Sequence, residues 1–379
     1  MKRRRHQKTR GDMMKKTLLA ATFAVWIFNV HAQGSMTIYG SIDSGVTHIS
    51  NVAGTKLTRV DSGNRQPDRI GIRGSEDLGG GVKTVFQLEN GYVTDTGAQL
   101  NPAKLFNRGA YVGIGNNFGT LTFGRQNNFM FDMVGKYSNG FLLGSFYAFH
   151  PGNIDDLTNA GAYDNAVKLV SAPISGVTLG AMYALGEQSG DSARNRAFSL
   201  GANYAAGPFK IAAALSDSNN RSLTLGQTTG IRTLLGRTLI SGSAQAPVYS
   251  ALATDKVRSV AVSGSYAMGP ALLHALHVQT DISVAAATAT MKSSELGVNY
   301  RITPANSLNL GVAHTSLNDM SWDQLTLNNV YSLSKRTAVY AQALHQRASG
   351  TGTVAAVNSF GYATGQRQSA IRIGVHHLF

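Results

Sequence analysis

The chain ends in mid-strand. Over Ile371-Arg-Ile-Gly-Val-His-His-Leu-Phe379, the residues Ile371, Ile373, Val375 and Phe379 share one face at a period of two, with His377 their only polar member. Arg372, Gly374 and His376 share the other face, with Leu378 the exception. A soluble domain gains nothing from a frayed apolar terminus in water. A membrane-spanning barrel needs that last strand, because it closes the sheet and removes the unpaired edge. An edge strand of a soluble sandwich would alternate in the same way, so other segments have to separate the two.

The first residues read as a processing segment. Met1 to Lys16 is basic, and the apolar stretch from Thr17 to Val30 is short for a membrane helix. Val30-His31-Ala32 fits the small-residue pattern of a signal-peptidase site, which places the cut between Ala32 and Gln33 and leaves 33–379 as one domain. Met13 or Met14 would serve as an alternative start, and an uncleaved anchor is the competing reading of the segment. Residues 1–32 hold eight basic residues and one acidic residue of the chain's 34 and 20, so the net charge falls from +14 to +7 when they are removed. That remainder, without an aromatic-interleaved basic cluster, gives no reason to expect a nucleic-acid partner; it suits a channel or cleft that prefers anions. The absence of cysteine excludes disulfides and thiolate metal sites. No run after Ala32 approaches the ~20 apolar residues of a membrane helix.

Period-two patterning recurs. Val260, Val262, Gly264, Tyr266 and Met268 oppose small polar residues, as do Leu296, Val298, Tyr300 and Ile302, and Leu308, Leu310 and Val312. The polar faces carry Gly, Ser, Asn and Thr, and at 14% charged residues the chain is poorly suited to a fully water-facing surface. Tyrosines at 39, 92, 111, 183, 204, 266, 300 and 331 lie near the ends of these runs, where a barrel sets its aromatic girdles. Tight turns carry Gly, Pro or Asn, as at 78–81, 116–119, 207–208 and 269–270. Longer polar stretches are expected as loops at 50–67, 94–105, 127–162, 217–255, 280–290 and 347–366. Short turns on one rim and long loops on the other, with about sixteen strands, predict an all-β, 16-stranded antiparallel transmembrane β-barrel.

Specific segments carry a resemblance. Met36-Thr-Ile-Tyr-Gly-Ser-Ile-Asp43, Asp68 to Glu89 with its Gly-Ser-Glu-Asp-Leu-Gly-Gly-Gly core, Arg108 to Gly113, and Asn117 to Gln126 resemble Gram-negative outer-membrane general porins of the betaproteobacterial type. Phe149-His-Pro-Gly152 with Ile154-Asp155 is similar to that family's inward-folded third loop, and the closing strand completes the match. The resemblance implies a homotrimer of sixteen-stranded barrels in the outer membrane, each with a water-filled pore narrowed by the third loop and passing small hydrophilic solutes and ions. Expected partners are outer-membrane lipid and lipopolysaccharide, and the barrel-assembly machinery, for which Phe379 would be the signal. Neither a cofactor nor a metal is implied.

Fixed charges at a narrow, partly desolvated passage select ions, and arginine suits this because it stays ionised and offers a planar fork of donors. Ile70 and Ile72 share a face, so Arg69 and Arg73 turn to the lumen; a charge at the lipid midplane would cost about 2–4 kcal/mol. Lys83, Gln87 and Glu89 share the lumenal parity of the next strand, and Arg125 ends its strand before the third loop. Arg108 lines the narrows by resemblance, although its parity matches Ala110 and Val112. Asp132, Asp155 and Asp156 are candidates for an opposing negative wall. For each arginine the competing role is a structural ion pair, such as Arg73 with Glu76 or Asp77. Family members often carry a further arginine before the Asn-Ala/Ser-Val motif; Gly161-Ala-Tyr-Asp-Asn-Ala-Val167 lacks it, which predicts a wider or less selective passage.

Other motifs lead nowhere. Gly113-Ile-Gly115 lies within a strand and lacks the remainder of a dinucleotide loop. No nucleophile stands with a base in a recognisable pattern, so the chain is not expected to be an enzyme. His376 and His377 point to opposite faces, and His274 and His277 read as ordinary surface residues. The rival functions are a substrate-specific channel, which would need a dedicated lumenal binding track, and less plausibly a barrel enzyme or a soluble periplasmic β-protein.

Overall fold

Alternation becomes pairing along almost the whole chain. The computed structural model describes residues 34–158, 162–243 and 246–379, so the export segment and the cut between Ala32 and Gln33 lie outside the described residues. The wall consists of β1 (Ser35–Val52), β2 in two pieces (Thr55–Ser62 and Arg69–Gly79), β3 (Val82–Val93), β4 (Gly109–Asn116), β5 (Gly119–Asn127), β6 (Ala162–Ser171), β7 (Val177–Ala184) and β8 (Ala197–Ala206). It continues through β9 (Phe209–Asn219), β10 (Lys256–Met268), β11 (Ala271–Val284), β12 (Ala287–Arg301), β13 (Asn306–Leu317), β14 (Met320–Ser332), β15 (Thr337–Ser349) and β16 (Arg367–Leu378). Both pieces of β2 pair with β1, through Ser44 opposite Ser62 and Ser41 opposite Arg69, and therefore form one interrupted strand. Strand β1 also pairs with β16, from Ser41 opposite Leu378 to Ile49 opposite Ala370, which closes a 16-stranded antiparallel barrel.

Burial is inverted relative to a soluble protein. Ile373 is 68% exposed and Leu296 62%, whereas Arg372 between apolar neighbours is 1% exposed and Asn328 is fully buried. Apolar residues outside and polar residues within is the arrangement of a barrel surrounded by lipid. On the outward face an apolar band gives way to a directly paired row, His277, Ser294, His314, Asp323 and Arg347, running across β11 to β15. At the other end Tyr204, Tyr266, Tyr300 and Tyr331 are exposed beside the short turns, as a girdle at the headgroups requires. Tyr39 and Tyr111 turn inward instead, their hydroxyls donating to Glu89 (2.8 Å) and Gln87 (3.1 Å). A strand-end tyrosine thus has two possible faces, and parity decides between them.

The short turns fall where glycine, proline and asparagine predict them. Of the expected loop at 280–290 only a tight turn remains, and of that at 50–67 a tight turn and the interruption of β2 at 63–68. In 50–67, β1 and β2 meet across Ala53-Gly54, and in 280–290, β11 and β12 meet across Ala285-Ala286, with φ of 49°, 96° and 51° at Ala53, Gly54 and Ala285. Polar residues there mark where strands leave the lipid, not where pairing stops. The described residues of the 220–255 segment fold against the wall: Leu225, Ile231, Leu239 and Leu252 join a buried cluster with Ile282 and Trp322, and Trp322 donates to the carbonyl of Val354 (2.9 Å).

The third loop, described over 128–158, enters the barrel. Its Phe129 lies over Gly180 of β7 and Gly201 of β8, where a Cβ would meet the aromatic side chain at 2.2 and 2.6 Å. Wall residues then fasten it: Ser263 donates to Val134 (3.0 Å), Asn299 to Leu142 (2.6 Å), Asn328 to Leu143 (2.6 Å) and Gln324 to Tyr147 (3.0 Å). The backbone N–H of Asn139 donates to Glu295 of β12 (2.6 Å). The loop therefore fills the β10–β14 side of the lumen and leaves open space along the other wall.

Candidate pore constriction

The open space is a cavity of about 960 Å³ between the third loop and the wall of β1 to β6. Six cations line it, Arg65, Arg69, Arg73, Arg108, Lys136 and Lys168, against two carboxylates, Glu89 and Asp132. Glu89 sits at a junction. It accepts from Arg108 Nε (2.7 Å) and the Tyr39 hydroxyl (2.8 Å), and Arg69 Nε lies 3.8 Å away. Arg69 also donates to the Pro67 carbonyl and to Gln66, each at 3.0 Å. Lys168 pairs with Asp132 and donates to the Asn127 carbonyl (2.8 Å). Each carboxylate thus answers at least one cation, and positive charge is left over.

Of the expected residues, Arg69, Arg73, Arg108 and Asp132 line the cavity. Arg73 stands over the Tyr39 ring at 4.9 Å, and among the described residues it forms no ion pair with Glu76 or Asp77. Arg108 escapes the parity objection because it precedes β4; its backbone N–H bonds the Glu89 carbonyl (3.2 Å), and its side chain turns to the same residue. The others lie elsewhere. Lys83 is exposed opposite Asp77, two residues beyond the Gly81 turn. Arg125 falls at the register shift between Gly124 and Gln126, where it reaches Asp164 (2.7 Å) and the Asn107 carbonyl (2.8 Å).

Asp155 and Asp156 do not form a negative wall. Asp155 lies 2.5 Å from His150, whose other ring nitrogen is 2.9 Å from Glu295. Asp156 pairs with Arg221 (2.9 Å) and accepts from Asn128 and Tyr163, each at 2.8 Å. Both are buried, and burying a carboxylate away from water requires such partners. They hold the loop in shape and join it to the wall and to the 217–255 segment. His274 is likewise no surface residue: it is buried beside Gly297, facing the loop.

Three lining cations were not singled out from the sequence. Lys168 had a readable signal, a charge between Val167 and Leu169 in a strand, and it supplies lumenal charge just after the motif that lacks the arginine. Arg65 sits in the interruption of β2, and Lys136 in a 3-10 turn of three residues, Gly135–Tyr137, each too short for a period to assign a face.

Residues 18–351 match the family model for Gram-negative porins. The chain belongs to that family. An outer membrane porin protein of Bordetella pertussis is 31% identical to this porin over 242 residues, 55% of this chain and 62% of the relative. Outer membrane porin protein 32 of Delftia acidovorans is 26% identical over 385 residues, 97% and 100% of the two chains. Among solved structures, an anion-selective porin from Comamonas acidovorans shares the fold with a TM-score of 0.75 at 22% identity, over 92% of this porin and all of the other chain. A trimer form of OmpT from Vibrio cholerae superposes with a TM-score of 0.65 at 17% identity, over 91% and 99%.

Proposed function

We propose that this porin is a passive outer-membrane channel for small hydrophilic solutes and ions, with a preference for anions. The observation that carries the preference is the imbalance at the constriction, six cationic side chains against two carboxylates. In a narrow passage such charges attract counter-ions and repel co-ions over a Debye length of about 10 Å at 0.1 M salt. The Delftia outer membrane porin, similar over nearly the whole chain, supports the channel, and the anion-selective porin of Comamonas, alike in fold, supports the preference. Planar-bilayer recording in a potassium chloride gradient tests it. Stepwise conductance with a reversal potential toward the chloride equilibrium is expected; no steps would overturn the channel, and a reversal toward potassium the preference.

Assembly as a homotrimer is part of the proposal, supported by the trimer form of the Vibrio neighbour. Semi-native electrophoresis, comparing unheated and boiled samples, reads the oligomer directly. Residues 1–32 are proposed as the export signal, and amino-terminal sequencing of the outer-membrane protein is expected to begin at Gln33.

A further inference from the structure

The constriction places phenylalanine rings in the same space as its cations. Phe131, Phe141, Phe146 and Phe149 of the third loop line the same cavity. Phe146 and Phe149 pack edge to face with centroids 5.5 Å apart, and Phe149 fills the space over Gly140. Among the described residues Phe141 has no such ring partner, and it is 51% exposed within the lumen. A wet phenyl ring forgoes the stabilisation that covering its apolar surface would bring.

Cationic groups line the same cavity. The N–H of Phe146 donates to the Asn64 carbonyl (2.7 Å), which fixes the loop against the neighbouring Arg65. A Cβ on Gly144 would lie 2.9 Å from Nη1 of Arg65, and the buried Nε of that guanidinium has no hydrogen-bond partner. Among the described residues, neither Arg73 nor Lys136 forms an ion pair. Two cations without ion pairs, Arg73 and Lys136, and a half-exposed ring thus share one cavity.

We infer that the constriction is a binding site for small organic anions that carry an aromatic ring. The carboxylate meets Arg65, Arg73 and Lys136, and the ring lies against Phe141. Chloride or acetate uses only the cations; an aromatic carboxylate uses both features, because a planar guanidinium matches a carboxylate and a phenyl ring matches another. This deepens the proposed function and rests on the anion-preferring channel.

Sodium benzoate, sodium acetate and benzylamine hydrochloride, added in turn to full-length channels carrying chloride current, provide the test. Benzoate is expected to interrupt the current at concentrations where acetate and benzylamine do not. Phe141→Ala is expected to weaken that interruption roughly tenfold, equivalent to about 1.4 kcal/mol. Phe118→Ala, on an exposed turn outside the cavity, is expected to leave it as in the wild type. Arg73→Gln is expected to weaken benzoate and shift the reversal potential away from chloride. Equal effects of benzoate and acetate, equal effects of benzoate and benzylamine, or an undiminished benzoate effect in Phe141→Ala would overturn the inference. A potassium-side reversal in the wild type would instead overturn the underlying anion channel.

Discussion

Arg372 sits where the first and last strands meet. Its guanidinium reaches Asp43 (3.0 Å), the Thr47 hydroxyl (2.9 Å), the Tyr340 hydroxyl (2.7 Å) and Asp61. Asp43 is fully buried, so losing its cation would leave a carboxylate with only neutral donors. Breaking a buried pair from one side costs about 3–5 kcal/mol. Arg372→Met is therefore expected to lower the temperature at which the folded band converts to the unfolded one on electrophoresis. Adding Asp43→Asn is expected to restore part of the loss; wild-type behaviour of the single variant would show that the pair contributes nothing. Gly180 is constrained by shape alone, since any Cβ there meets Phe129. Gly180→Val is expected to destabilise the barrel by about 1–3 kcal/mol, as overpacking does, and thermal melting by near-ultraviolet circular dichroism reads that change.

Strand β16 ends by exchanging two backbone hydrogen bonds between Phe379 and Gly40, at 3.0 and 3.2 Å, with the Phe379 ring set over Gly40. Deleting Phe379 removes both bonds and the cover. The deletion is expected to reduce the amount of inserted barrel several-fold while the channels that do insert conduct normally; wild-type outer-membrane yield would refute this assembly role. Strands of this kind were legible from the sequence because lipid-facing and lumenal side chains alternate along them, as Arg372 between Ile371 and Ile373 illustrates. The upper ends of β1 and β11 were not, since above the lipid no apolar face remains to mark the period. The third loop was legible as a segment but not in its chemistry: whether Asp132 or Asp155 meets the pore depends on which finds a partner in the wall, a non-local fact. For the same reason Arg69 and Arg73 could be placed by parity, whereas Arg65 and Lys136 could not.

At the scale of the molecule, the charge left over at the constriction sets how the channel responds to salt. The Debye length shrinks from about 10 Å at 0.1 M to about 3 Å at 1 M, so the reach of Arg73 and Lys136 into the passage contracts accordingly. Arg73→Gln with Lys136→Gln is expected to bring the reversal potential closer to zero, most visibly at low salt; an unchanged potential would remove these two residues from the selectivity. The third loop, meanwhile, is joined to the wall by hydrogen bonds from Ser263, Asn299, Asn328 and Gln324, and to Glu295 through its own backbone. Fastened by these and further bonds to a closed cylinder, it is built as a fixed orifice plate, not a valve. Current through such an aperture is expected to be ohmic and quiet, and voltage-dependent closure in stepped-voltage recording would overturn that; a channel of this kind leaves the number of barrels installed as the means of regulating uptake.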